Sequence, residues 1–486
     1  MRSRLFAAAL ALLLASPAPA AERANGAVVF SPCQLAHPLL PLRIPARCGT
    51  LAVPEDPTRP GGKEIALRIA VVSAEAPRPE PDPVFVLAGG PGQSITATYP
   101  AVAAAFERLN RDRDIVLVDQ RGTGGSGLLI CPGGGAELEG RGDARRWAAE
   151  CARSLSATAD LTQYGTAGFV RDLELVRAAL GYERVNLVAF SYGTRAALAY
   201  ARAYPERTRT LLLDGVAPFE MVVGSTFDRD SQGALAVLAR RCRAEPACQA
   251  RYPDIPGQLR ALLGRLGRHA RKVRTAHPAT GEPLELTVDA DSLRQVVLGF
   301  LYQAETAALL PALLREAGQG NWDPIAAEGI LVGEDLEAGL SRPVHLSVLC
   351  SEDVPFYGLA DSGERGDFFL GPVVRDALRD ACSAWPRAPV DRELHQPTSL
   401  PVPALLVSGE ADPVTPPSWA ALAARSLPRS LAVTLPGQGH GNLGRGCLPR
   451  VAAEFVRRGT ADALETSCLA RLRPAPVFVD LLGGTP

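Results

Sequence analysis

The chain has 486 residues, 47% hydrophobic and 21% charged, with a formal net charge of −1. That length supports a large buried core and more than one structural unit, and the balance excludes a disordered polar chain. The near-zero charge excludes a basic footprint for nucleic acid, and with lysine only at 63 and 272 the arginine-rich positive charge reads as base composition rather than function.

The first element is "MRSRLFAAALALLLASPAPA". Two arginines, an apolar run from Leu5 to Ala15 and Ala18-Pro19-Ala20 form the three regions of an export signal, residues 1–20. The run is short for a bilayer span, and no cysteine directly follows the cleavage site to take a lipid. The mature chain is therefore expected to be exported, to periplasm or medium, with no stable membrane insertion. Ten cysteines remain, at 33, 48, 131, 151, 242, 248, 350, 382, 447 and 468. An even count in an exported chain predicts disulfides. Sequential pairing (Cys33–Cys48, Cys131–Cys151, Cys242–Cys248, Cys350–Cys382, Cys447–Cys468) is expected because each pair brackets a local loop. No C-x-x-C occurs and no histidines cluster near the cysteines, so neither a metal nor a cofactor is expected.

Residues 21–83 read as N-terminal strands, "CGTLAVPEDPTRPGGKEIALRIAVVSA", followed by the stiff connector "APRPEPDP". From 84 to 217, apolar runs alternate with helical periods. "VFVLAGG", "DIVLVDQ", "VNLVAF" and "TLLLDG" are strand-like; "AVAAAFERLN" and "GFVRDLELVRAALG" are helix-like. This rhythm predicts an α/β fold, a mainly parallel sheet with helices on both faces. It breaks over 218–400, read as an inserted, mostly helical cap. It returns over 401–486 with "PALLVSGE", "SWAALAARSL" and "SLAVTLPG".

Ser191 stands where the strand "VNLVAF" meets an alanine-rich helix, in Ala189-Phe190-Ser191-Tyr192-Gly193. A nucleophile raised on such a turn needs small neighbours, and the helix start supplies outward N–H groups. A helix-capping serine would occupy the same place. A base is therefore required, and His440, in the glycine-rich loop after a returning strand, is the one of six histidines so placed. Its carboxylate partner is Asp412, just past the tip of "PALLVSGE"; Glu410 lies beside it, and Asp214 is the competing acid. The order Ser191, Asp412, His440 is the one the α/β-hydrolase fold uses. For the oxyanion, the N–H of Tyr192 and that of Gly90 in "LAGGPGQS" are the expected donors.

The stretches "GGPGQS", "DQRGTGGSG", "SYGTRAALAYARAYPERTRTLLLDGV", "LLVSGEADPVTPP" and "GQGHG" resemble the exported tripeptidyl aminopeptidase branch of the proline iminopeptidase-like α/β-hydrolases. The resemblance implies an α/β-hydrolase fold with a cap. It assigns Ser191, Asp412 and His440 as nucleophile, acid and base, and Gly90 and Tyr192 as oxyanion donors. Two departures bear on specificity and rate: Ala189 at the first small position of the elbow, and Ala88 where relatives often carry histidine. An aminopeptidase must also read a free ammonium, whose desolvation demands carboxylates. Glu352 and Asp353 in "LSVLCSEDVPF" are the candidates. The expected substrate is a short peptide. A secreted esterase or amidase on the same triad, and a catalytically silent binding protein, are the competing readings.

Overall fold

The structure, a computed structural model, describes residues 28–59, 61–131, 143–360 and 367–484. The expected export signal lies outside them.

Among the described residues, the central sheet is built from β1 (Ser31–Ala36), β2 (Arg43–Pro54), β3 (Glu64–Val72), β4 (Val84–Leu87), β5 (Ile115–Val118), β6 (Val185–Phe190) and β7 (Thr208–Asp214). A separate hairpin of β8 (Arg271–Ala276) and β9 (Pro283–Val288) follows, and β10 (Ala404–Gly409) and β11 (Ser430–Leu435) then return to the sheet. The order across the sheet is β1-β2-β3-β5-β4-β6-β7-β10-β11. The first three strands pair antiparallel, β3 joins β5 antiparallel, and all pairings from β5 to β11 are parallel. The N-terminal strands are thus an edge extension of the main sheet.

Burial explains the composition of each strand. Every residue of β4, β5 and β10 is buried, because helices cover both faces of the parallel portion. Alternate residues serve opposite layers. Leu187, Ala189, Leu211 and Leu213 face one core, while Val188, Leu212, Leu405 and Val407 face the other. The helices Thr166–Ala179 and Tyr192–Ala203 cover the first face; Phe106 and Phe455 help fill the second.

Between β7 and β10 the described residues add no strand to the sheet and build helices with their own core around Leu259, Val297, Phe300 and Leu310. The described residues of this stretch are mostly helical and also carry the β8–β9 hairpin. Its charged, half-exposed strands carry little apolar signal: Val273 is the buried residue of β8, and Arg271 lies over the Trp322 ring at 5.9 Å. The ten cysteines form bridges Cys33–Cys48, Cys131–Cys151, Cys242–Cys248, Cys350–Cys382 and Cys447–Cys468.

Because β4, β6, β7, β10 and β11 run parallel, their C-terminal ends share one rim, where loops rather than helices face outward. The register makes this concrete. Leu87 pairs with Ala189, Phe190 with Asp214, Val407 with Asp214, and Gly409 with Leu435. The loops carrying Gly90, Ser191, Asp412 and His440 all leave from that rim.

Candidate active site

Ser191 has φ 52° and ψ −127°, a backbone conformation that side-chain-bearing residues rarely hold unless the surroundings impose it. Here they do. The Ser191 N–H donates to the Asp214 carbonyl at 2.9 Å, and the Ser191 carbonyl accepts the Thr194 N–H (2.9 Å) and hydroxyl (2.6 Å). Space is tight behind the turn. A methyl group at Gly193 would come within 2.5 Å of the Ala88 carbonyl oxygen. Ala189, by contrast, lies within β6 between β4 and β7, fully buried, so its methyl packs in the core rather than against the turn.

Asp412 is 1% exposed and saturated with donors. Its Oδ1 accepts the N–H groups of Val414 (3.0 Å) and Thr415 (2.8 Å). Its Oδ2 accepts the Thr415 hydroxyl and the His440 Nδ1–H, each at 2.8 Å. Burial opposes the carboxylate charge, yet the imidazole and these donors outweigh it and hold Asp412 below the usual carboxylate range. The same contest raises His440: burial works against its proton, and Asp412 wins. Asp412 also fixes the tautomer, leaving Nε2 as the ring's basic nitrogen. Glu410 points elsewhere, accepting the Gly437 N–H at 2.9 Å and pairing with Arg240 at 2.5 Å.

Asp214, the competing acid, is fully buried at the end of β7. Its Oδ2 accepts the amides of Asn442 (2.5 Å) and Leu443 (2.7 Å), and burial pushes its carboxyl up to about 6. It grips the histidine loop, while Asp412 holds the ring.

The loop after β4 packs on the serine turn. A methyl group at Gly89 would sit 2.9 Å from Ser191 Cβ, and Gly90 holds φ 104°, which glycine adopts without strain. Asp119, from "DQRGTG", anchors this loop from behind. Its Oδ1 accepts Ser94 Oγ–H (2.8 Å) and the Thr96 N–H (3.0 Å); its Oδ2 accepts Thr96 Oγ1–H (2.7 Å) and the Gly125 N–H (3.0 Å). Next in the same motif, Arg121 forms a fully buried two-point pair with Asp172, at 2.6 and 2.7 Å.

The structure separates the two expected amine-reading carboxylates. Asp353 is fully buried, with both oxygens on Arg195 (2.9 and 3.1 Å) and Oδ1 also accepting the Val223 N–H. It has no charge left to offer a ligand, which corrects the expectation of a pair. Glu352 is half-buried and binds the Thr166 N–H and hydroxyl, both at 2.6 Å. The Thr166 hydroxyl in turn lies 2.7 Å from the Tyr192 hydroxyl. Burial pushes the Glu352 carboxyl up to about 7.

Several residues at the site carried little or no signal in the sequence. Thr415 braces Asp412 with its hydroxyl, which also lies 3.0 Å from His440 Nδ1; a threonine three residues past an aspartate is the visible clue. Tyr302 and Gln303, from the insert, contact the His440 loop and could not be placed there by spacing. The tryptophan-free, alanine-rich surroundings gave no pattern for Thr166. Among the described residues, no cluster of three histidine, cysteine or acidic side chains could hold a metal ion.

Residues 82–246 match the family described as alpha/beta hydrolase fold, and residues 369–468 match the TAP-like protein family. The chain is 30% identical over 206 residues to the serine protease Hip1 of Mycobacterium tuberculosis, 39% of each chain. It is 31% identical over 193 residues to the tripeptidyl aminopeptidase of Streptomyces coelicolor, 35% of each. It is 25% identical over 432 residues to the putative hydrolase YuaR of Escherichia coli, 81% of each. The alignments to the first two relatives therefore span well under half of their length. The parallel sheet order and the match over residues 82–246 give the chain the α/β-hydrolase fold, and its residues 369–468 are similar to the TAP-like protein family.

Proposed function

We propose that this chain is an exported serine peptidase of the aminopeptidase type, which releases short peptides or proline-type residues from free peptide N-termini through an acyl-enzyme. The observation that carries the reading is Ser191 on its strained turn at the same sheet rim as a histidine whose Nδ1–H is held by a buried aspartate. The names of the Mycobacterium and Streptomyces relatives support the peptidase class. The five disulfides support an oxidising compartment.

In this mechanism, His440 Nε2 takes the Ser191 hydroxyl proton as Oγ attacks the scissile carbonyl. The Tyr192 and Gly90 N–H groups receive the oxyanion, the first of them at the positive end of the helix Tyr192–Ala203. His440 passes its proton to the leaving amine, and the C–N bond breaks. Water, deprotonated by His440, then attacks the ester and Ser191 regains its proton. Glu352 is the carboxylate that reads the α-ammonium, reached from the nucleophile turn through Tyr192 and Thr166. A free-amine tripeptide p-nitroanilide and its N-acetylated counterpart test this reading. Cleavage of the first that disappears in Ser191→Ala supports it. Equal kcat/KM for both substrates shifts the assignment to an esterase or amidase, and silence of Ser191 toward a fluorophosphonate leaves a binding protein.

A further inference from the structure

Asp214 touches both moving parts of the proposed reaction. Its backbone carbonyl accepts the Ser191 N–H at 2.9 Å, so it helps hold the strained nucleophile turn. Its side chain reaches the other way. One carboxylate oxygen, Oδ2, accepts two consecutive amides, Asn442 at 2.5 Å and Leu443 at 2.7 Å, directly downstream of His440. The next residue, Gly215, lies under the imidazole, where a methyl group would come within 2.8 Å of His440 Cε1 and 3.1 Å of Nδ1. The other oxygen, Oδ1, is buried with no hydrogen-bond partner among the described residues. An acid kept in a fully buried place, with half its acceptor capacity idle, is costly unless its charge does something there.

We propose that Asp214 is a positioning residue that joins nucleophile to base, and that its negative charge behind the His440 loop stabilises the His440 imidazolium together with Asp412. This rests on the Ser191–Asp412–His440 reading. Two consecutive N–H groups converging on one oxygen form an anion nest, which favours the ionised acid and fixes the loop by two bonds at once. The charged and titratable groups around this point are Asp412 across the ring and Tyr302 on the ring's edge; burial keeps the Tyr302 phenol protonated. Asp214 is therefore the second of two carboxylates acting on the base. Loss of its charge makes the imidazolium less stable, so His440 sheds its proton at lower pH.

The test compares Asp214→Asn, which keeps an acceptor oxygen but not the charge, with Asp214→Ala, which loses both. The assay is kcat and KM on the free-amine tripeptide p-nitroanilide from pH 5 to 9. For Asp214→Asn, kcat at pH 8 is expected to fall about 10-fold with KM within about 3-fold. The acid limb of its profile is expected to move down by about half a pH unit, a shift that lost packing alone does not give. Asp214→Ala is expected to lose about 100-fold in kcat. If Asp214→Ala fails to fold, Asp214→Asn decides alone. A folded Asp214→Asn with an unmoved acid limb overturns the proposal, whatever its rate. Ser191→Ala is run alongside: activity surviving there sinks the triad reading, a result distinct from an unmoved limb in Asp214→Asn.

Discussion

The carbonyl of Tyr302 accepts the backbone N–H of His440 at 2.6 Å, and the two rings meet edge to face with centroids 5.4 Å apart. Gln303 adds a second tie, donating its side-chain amide to the His440 carbonyl at 2.9 Å. Both partners belong to the insert between β7 and β10. The insert thus fixes the His440 backbone and packs on its ring. Tyr302→Ala keeps the backbone bond and removes the ring. We expect kcat to fall about 3- to 10-fold, the size of one aromatic contact, with the fold retained. Steady-state kinetics with a circular dichroism control measures it, and an unchanged kcat would show that the ring does not matter.

Asp412→Asn tests the tautomer. An amide at this position can donate to Nδ1 and stabilise the wrong ring form. The expected loss is about 10³- to 10⁴-fold in kcat, the range seen when a triad acid becomes its amide. Because Val414, Thr415 and the Thr415 hydroxyl still surround the side chain, urea midpoints should move far less than the rate.

The pH profile separates Glu352 from His440. Burial holds the Glu352 carboxyl near 7, so the carboxylate that reads an ammonium forms only as pH rises through that value. His440, raised by Asp412 against burial, also becomes a base only above its ordinary range. A peptide amine loses its proton at about 7.7–8.0. The kcat/KM for free-amine peptides should therefore be bell-shaped, whereas N-acetylated peptides should show the single rise of His440. Glu352→Gln should abolish the preference for the free amine and leave the His440 limb. A preference that survives this change would place amine recognition elsewhere.

Stability should respond to the same groups. Glu352 rises from 4.5 to about 7 on folding and Asp214 from 3.8 to about 6. The folded protein thus keeps protons that the unfolded chain has released, so unfolding free energy falls as pH climbs through about 4 to 7. His440 acts in the same direction: its raised value stabilises the fold below its unfolded pKa, and that gain is lost as pH rises through the folded one. Urea unfolding at pH 5.5 and 8.5 should differ by on the order of 2 kcal/mol, with the acid side more stable and Glu352→Gln flattening the difference. Equal midpoints would contradict it.

The buried Arg121–Asp172 pair offers a structural control away from the rim. Arg121→Met leaves Asp172 charged with no partner in a fully buried place, and also frees the carbonyls of Glu55 and Gln163 that Arg121 satisfies. The expected destabilisation is about 3–5 kcal/mol, read from urea unfolding. A double change with Asp172→Leu should recover much of it, because the orphaned charge is the costly part.

Much of this protein is legible in one dimension because the responsible forces act over short stretches. The unbroken apolar runs at Val84, Ile115, Val185 and Ala404 specify strands covered on both faces, and the small residues around Ser191 specify a tight turn. Parallel strands then oblige Ser191, Asp412 and His440 to emerge on one rim, where Asp412 meets the His440 ring. The charged β8–β9 hairpin escaped because exposed strands carry no apolar period. Adjacent letters misled at Glu352 and Asp353: consecutive residues at a helix end point in different directions, and burial against Arg195 consumed one of the two. Asp214 is the sharpest case. From the letters alone it is a rival to Asp412, since both are acids at strand ends. Only the packing of the loop after Gly439 decides that one aspartate meets the imidazole and the other meets the amides behind it, because that choice depends on contacts between residues more than 200 positions apart.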